Sequence, residues 1–296
     1  MLYSKEAAFN AVTEPAGITE LVFRLVAFDQ NEWFPQGACT AIASHLCVTA
    51  KHVILDFLDH FGAGSTATSL QVSSFSLQAL QILDNPLRYA VWSVCNAYLS
   101  PLSDIALLHL APYCTVADKI TTAQGWKQVR LSLFPPSVAA RIVGFGFHSS
   151  AATVTKNPQG GPNVHIHDKP TATVGEVREV HAARRDSARL NFPCYQVNAR
   201  FDGGMSGGPV FDDSGRLCGI ICSSFPSTSP EEEHASYVAT LWPATGIPLD
   251  VKGVWRTLLD LTQEGVVAAD GWERIRLQEF PDQSAPGGIL YGVSVV

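Results

Sequence analysis

The sequence predicts an all-β protein, a sandwich or a barrel, in which two successive sets of strands fit two barrels in one chain. Three observations carry this. Short runs rich in Val, Ile, Leu, Phe and Thr recur along the chain, bounded by Gly, Pro, Asn, Asp or Ser. They follow one another closely, without the alternating helical segments that a parallel βαβ sheet requires. The composition is 46% hydrophobic and only 16% charged, against roughly 25% charged in an average folded chain. At 296 residues such a chain buries roughly 75% of its unfolded surface, enough for a full core. The length fits one large or two small domains.

In chain order the predicted strands are 18–28, 37–44, 46–50, 70–77, 104–110, 141–147, 194–200, 208–212, 216–222 and 236–242. Asp212-Asp213-Ser214-Gly215 separates two of them and reads as a hairpin turn, because Gly takes the left-handed position. The segment YAVWSVCNAYL, bracketed by Pro86 and Pro101, fits a strand or a helix. Helical patterning is strong only in LDVKGVWRTLLDLTQEG, where Val251, Val254, Trp255, Leu258 and Leu261 or Thr262 recur at three- and four-residue steps. Asp250 is placed to cap its start and Gly265 its end. Residues 156–170, KNPQGGPNVHIHDKP, read as a long exposed loop, and 227–234, STSPEEEH, as an acidic one. The uncharged, β-prone end ILYGVSVV is expected to pair with a sheet edge, since exposing it invites aggregation.

Composition also excludes functions. A net charge of 20 − 27 = −7 leaves no basic excess to neutralise phosphates, so no nucleic acid is expected as partner. No window approaches 18 charge-free apolar residues, so no membrane span is expected. The first residues show no apolar core behind a basic start, and a cytoplasmic location is the expectation. Cys39, Cys47, Cys95, Cys114, Cys194, Cys218 and Cys222 are odd in number and form no CxxC pair, so they read as buried reduced thiols. His165-Ile166-His167-Asp168 brings two imidazoles to one face if extended, yet no third ligand is in view. No metal and no cofactor are expected.

Three segments carry the chemistry. VTAKHV (48–53) puts His52 just after a strand, SDIALLHL (103–110) puts Asp104 at the head of one, and DGGMSGGPVFD (202–212) puts Ser206 in a glycine-dense turn. A serine hydroxyl needs a base to become a nucleophile. That base is an imidazole whose tautomer a buried carboxylate fixes. Glycines around Ser206 let the backbone turn sharply and aim amide N–H groups at one point, as a developing oxyanion requires. The order is His, Asp, Ser, unlike the Ser-first order of α/β-hydrolases and the Asp-first order of subtilisins.

These motifs resemble those of chymotrypsin-fold, trypsin-like serine peptidases. TAKH is similar to the family's TAAH, DIALL to its DIAL, and GMSGGP to its GDSGGP; IVGFG (142–146) and LCGIICSSF (217–225) resemble two second-barrel strands. The likeness covers roughly residues 18–245. It implies two six-stranded antiparallel β-barrels, with a C-terminal helix and short extension. The implied organisation is an N-terminal segment 1–17, a peptidase domain 18–245 (barrels about 18–125 and 126–245), and a helix and tail over 246–296. It implies a serine endopeptidase acting on protein or peptide substrates through an acyl-enzyme, with any regulatory partner unknown. His52 is the implied general base, Asp104 its orienting carboxylate, Ser206 the nucleophile, and the N–H groups of Gly204 and Ser206 the oxyanion hole. Arg200, Phe201, Ile221, Cys222, Ser223 and Ser224 are the implied substrate-binding residues. A peptide-binding scaffold that does not cleave, and an esterase using the same triad, are the alternatives.

The sequence departs from the secreted members in three ways. Met205 stands where the animal enzymes carry an Asp that pairs with a newly cut N-terminus, so the chain resembles the bacterial, disulfide-free branch that needs no zymogen cleavage. Val53 replaces a bridged cysteine. Arg200 or Phe201 falls where trypsin specificity needs an acid, so cleavage after Lys or Arg is not expected.

Overall fold

The computed structural model describes residues 9–11, 17–28, 33–60, 69–71, 76–83, 88–113, 126–156, 162–225 and 234–296. The first barrel is built from β1 (Val22–Phe28), β2 (Trp33–Ala43), β3 (Leu46–Thr49), β4 (Ser76–Leu83), β5 (Arg88–Leu99) and β6 (Ala106–Pro112). Their order is β5-β4-β1-β2-β3-β6, and β6 pairs back onto β5, which closes a six-stranded antiparallel ring. The second barrel comprises β7 (Arg141–Lys156), β8 (Pro162–His181), β9 (Cys194–Val197), β10 (Pro209–Phe211), β11 (Leu217–Phe225) and β12 (Ala235–Ala239). Their order is β10-β7-β8-β9-β12-β11, closed by antiparallel pairing of β11 on β10. Closure removes the sheet edges that would otherwise template aggregation.

Strand β1 shows how the two barrels share a core. Phe23, Leu25 and Ala27 point into the first barrel, while Val22 on the opposite face meets Phe145 and Phe147 of β7. Both faces of β1 are therefore buried, and the strand reads as a continuous apolar run interrupted by one cation, Arg24.

Four expectations are corrected. A helix, α1 (Lys51–His60), follows β3 and buries Val53, Ile54, Phe57 and Leu58 on one face. The residue before it is Ala50, which offers no side-chain cap; Asp104 caps it instead, accepting from the His52 N–H at 2.8 Å. Residues 162–170 are strand rather than loop, since Val154 pairs Val164 and Lys156 pairs Pro162 in a long β7–β8 hairpin. Beta-branched and apolar residues at alternate positions outweigh the prolines there. The predicted long terminal helix shrinks to α2 (Leu258–Gln263), whose start is a capping box between Thr257 and Asp260. The residues ahead of it form a hairpin, β13 (Pro248–Val251) and β14 (Val254–Thr257). Helical periodicity misses this turn, in which Lys252 and Gly253 both take positive φ and Asp250 accepts from the Gly253 N–H. Finally, the C-terminal strand does not extend a barrel: β16 (Ile289–Val295) pairs β15 (Ile275–Pro281) as a separate hairpin. The segment 89–99 is strand, within β5, and the Asp212–Gly215 turn joins β10 to β11 as expected.

Among the described residues no helix is long and apolar enough to cross a membrane, and no cluster of three metal-binding side chains occurs. Six cysteines are described and all six are free, whereas Cys114 and the acidic residues 231–233 lie outside the described residues. Burial pushes Cys194 up to about 11 and Cys218 up to about 12, and raises Cys47 and Cys222 well above the ordinary thiol range. Among these six, Cys95 alone is not buried. A thiol reagent on the native protein is therefore expected to modify Cys95 at least about ten times faster than the other five, by peptide mapping; equal rates would show that the barrels open on the labelling timescale.

Candidate active site

His52 lies in the first turn of α1, and Asp104 lies in the bend that precedes β6. The Asp104 carboxylate holds His52 twice. One oxygen accepts the backbone N–H, and the other accepts from the ring Nδ1 at 2.7 Å. A carboxylate only accepts, so Nδ1 carries the proton and the lone pair of the neutral ring is left on Nε2. Burial works to lower the His52 pKa, but the hydrogen bond and charge of Asp104, with the charge of Asp56, outweigh it and leave it raised above 6.5. Asp104 is only 7% exposed. Lys51 stands beside it, donating from Nζ to the Ser100 carbonyl at 2.7 Å; burial lowers the Lys51 pKa against the opposing Asp104 charge.

Ser206 sits in the turn before β10, where the two barrels meet. Its carbonyl accepts from the Ala38 N–H of β2 at 2.9 Å, and the next N–H, of Gly207, donates to the Ile221 carbonyl of β11 at 3.0 Å. The approach is close enough to demand glycine twice. A Cβ on Gly37 would lie 2.6 Å from the Ser206 carbonyl oxygen. A Cβ on Gly207, at φ +78°, would collide with both the Ala38 carbonyl oxygen and Thr49 Oγ1. The same added Cβ would also press on Val53, the residue after His52, so the Ser206 turn and the start of α1 border one point of the seam. Among the described residues His52 is hydrogen-bonded to Asp104 and not to Ser206. Such nucleophile–base bonds are often long without substrate.

The loop leading to Ser206 is held peptide by peptide. The Met205 N–H donates to the Asp202 carbonyl at 3.1 Å, and the Gly208 N–H donates to the Met205 carbonyl at 3.0 Å. Because carbonyl and N–H of one trans peptide point oppositely, the Ser206 N–H is turned away from Gly208. Among the described residues, neither the Gly204 nor the Ser206 N–H donates to a protein acceptor. Met205 is fully buried with Phe201 and Val210 in the second barrel, against Gly146.

The predicted substrate-binding residues scatter. Arg200 is turned outward, and its guanidinium grips Asp202 through bonds of 2.9 and 2.6 Å. Phe201 and Ile221 are core residues, 3% and 2% exposed. Ser224 is exposed on β11. Cys222 and Ser223 do line a cavity of about 710 Å³ shared with His52 and Asp104. It is lined as well by residues that motif reasoning does not reach: Leu102, Leu190, Phe192, Trp242 and Val293. Val293 belongs to β16, whose hairpin packs on the turn of 3₁₀ helix at Trp242–Gly246. Cys222 is buried, and its Sγ–H donates to the Tyr237 carbonyl, which accounts for it structurally.

Two closed antiparallel β-barrels thus meet at the Ser206 turn. Residues 37–220 match the trypsin-like peptidase domain family. The chain belongs to that family, and it is a trypsin-like serine peptidase, a hydrolase acting on protein or peptide substrates. Solved structures similar in fold include the active form of the Rv3671c protease from M. tuberculosis, at 16% identity and a TM-score of 0.46, covering 80% of this chain and 86% of that one. Another is the MamO protease domain from Magnetospirillum magneticum, at 15% identity and a TM-score of 0.43, covering 75% and 92% respectively. A search of curated protein sequences finds no match.

Proposed function

We propose that the chain is an endopeptidase working through His52, Asp104 and Ser206 by way of an acyl-enzyme. The observation that carries this reading is the double grip of Asp104 on His52, which fixes the ring and its tautomer. As Ser206 Oγ attacks the peptide carbonyl carbon, its proton passes to Nε2 of His52. The carbonyl oxygen becomes an anion facing the Gly204 and Ser206 N–H groups. Collapse breaks the C–N bond, and Nε2 returns the proton to the departing amine. Water then repeats the sequence on the ester, regenerating Ser206. The peptidase unit is read as 18–245, preceded by an N-terminal segment 1–17 and followed by a helix and tail over 246–296. Met205 cannot form an ion pair, and its burial in the second barrel supports activity without N-terminal cutting. The pairing of Arg200 with Asp202 leaves no free acid at that position to receive Lys or Arg side chains. The six free cysteines support a reducing, cytoplasmic setting.

The test is labelling of the intact 296-residue chain by a fluorophosphonate, followed by a peptide library. The chain is expected to label stoichiometrically, Ser206→Ala to abolish both labelling and cleavage, and Lys/Arg-directed peptides to be poor substrates. An unlabelled wild-type chain would mark a scaffold, and ester turnover without peptide cleavage an esterase.

A further inference from the structure

Arg24 is among the largest fully buried side chains of the protein, 1% exposed. Arginine is almost never buried so completely unless its charge is paired or hydrogen-bonded. Its place on β1 explains where it points. Side chains alternate along a strand, and Arg24 shares the face of Val22 and Val26, which looks across the seam into the second barrel. There its Nη1 donates to two carbonyls of that barrel, Phe147 at 3.4 Å and Gly204 at 3.5 Å, and its guanidinium lies 5.3 Å from the centroid of the Phe147 ring.

Gly204 is the residue whose N–H the proposed function assigns to the oxyanion. Three other carbonyls of that turn are held by backbone donors, namely Asp202 by Met205, Met205 by Gly208 and Ser206 by Ala38. The Gly204 carbonyl is held by Arg24, a side chain 180 residues away. Directing that carbonyl toward Arg24 sends the Met205 N–H the opposite way, onto Asp202. We propose that Arg24 is a positioning residue: a buried cation of the first barrel that orders the oxyanion loop of the second, so that Gly204 and Ser206 present their N–H groups without an N-terminal ion pair. The catalytic part of this inference rests on the function proposed above, while the ordering of the loop does not.

Three forms are compared, wild type, Arg24→Met and Arg24→Lys, by hydrogen exchange over residues 202–207 and by steady-state kinetics on a library-selected peptide. In Arg24→Met the loop amides are expected to exchange about ten-fold faster while β8 and β9 exchange unchanged. Its kcat is expected to fall about 100-fold with KM nearly constant, the size of losing one oxyanion donor. Arg24→Lys keeps one charged donor and is expected to recover part of both. Removing the guanidinium leaves the Phe147 and Gly204 carbonyls without that donor, a cost of about 1–3 kcal/mol, so Arg24→Met is expected to melt several degrees below wild type and remain folded. Should it fail to fold, Arg24→Lys alone gives the reading, with intermediate exchange and kcat expected. Loop exchange and kcat at wild-type values in the folded variants would overturn the proposal while leaving the hydrolase intact. Faster loop exchange in a chain whose Ser206 neither labels nor cleaves would instead support the positioning and overturn the enzyme assignment.

Discussion

Asp104→Asn is expected to lower kcat about 10⁴-fold while leaving the fold in place. The amide oxygen of the variant side chain can still accept the His52 backbone N–H, so the cap on α1 survives. The amide nitrogen, however, donates, and it would face Nδ1 where a carboxylate oxygen now accepts at 2.7 Å. The ring then takes the other tautomer, with its proton on Nε2, and cannot receive the Ser206 proton. The pH profile should move as well. In the wild type the hydrogen bond and charge of Asp104, helped by the charge of Asp56, overcome burial and raise the His52 pKa, so kcat/KM is expected to rise with pH through a midpoint above 6.5. Without the carboxylate of Asp104 burial is opposed only by the weaker charge of Asp56, and the limb should shift to lower pH. The stability linkage has the opposite sense. A raised folded-state pKa gives stability that is full below 6.5 and is lost as pH rises through the folded value, so the difference in Tm between wild type and variant should shrink from about pH 5.5 to about pH 8. A loss of kcat below ten-fold, or an unmoved acidic limb, would remove Asp104 from the proposed mechanism.

Gly207→Ala carries the largest expected effect on the fold itself. The residue has φ +78°, and an added methyl would run into the Ala38 carbonyl oxygen and into Thr49 Oγ1, itself bonded to that oxygen at 2.7 Å. Neither neighbour is a flexible chain end, so the seam must open. The expected cost is about 3 kcal/mol, from the left-handed strain and the displaced β2 together, out of a total stability of about 5–15 kcal/mol. Urea unfolding measures it, and fluorophosphonate labelling of the folded fraction is expected to fall because Ser206 moves with Gly207. Gly203→Ala is the control: a Cβ there meets no atom within 4 Å, and its stability should match wild type within about 0.5 kcal/mol. Equal stabilities for the two variants would show that the seam yields at no cost.

The positions of His52, Asp104 and Ser206 are legible in the sequence because each stands in a short motif whose local chemistry is fixed: a residue after a strand, a carboxylate at a strand head, a serine among glycines. The barrels are legible because short β-prone runs recur and little else in the chain competes with them. What local patterning misses has one physical cause in each case. Helix α1 has no cap of its own, since its cap is Asp104, 52 residues further along the chain. In β8, Pro162 and Pro170 mark a loop in the sequence, yet cross-strand pairing with Lys156 and Phe147 keeps them in the strand. Periodicity over 249–265 is a genuine helical pattern, and the left-handed turn at Lys252-Gly253 overrides it. Arg200 reads as a pocket floor from its place in the motif, whereas Asp202, two residues on, holds it outward.

By itself, then, the sequence determined the family and the two-barrel fold and named three residues for the candidate site, because those are written in contiguous motifs and in strand periodicity. Only the tertiary structure decided what stands between the barrels and around the cavity. Arg24 beside Gly204, Gly37 against Ser206, and Val293 lining the same cavity as His52 are juxtapositions of segments far apart in the chain. Such contacts depend on how closed sheets pack face to face, and no local run of residues encodes them.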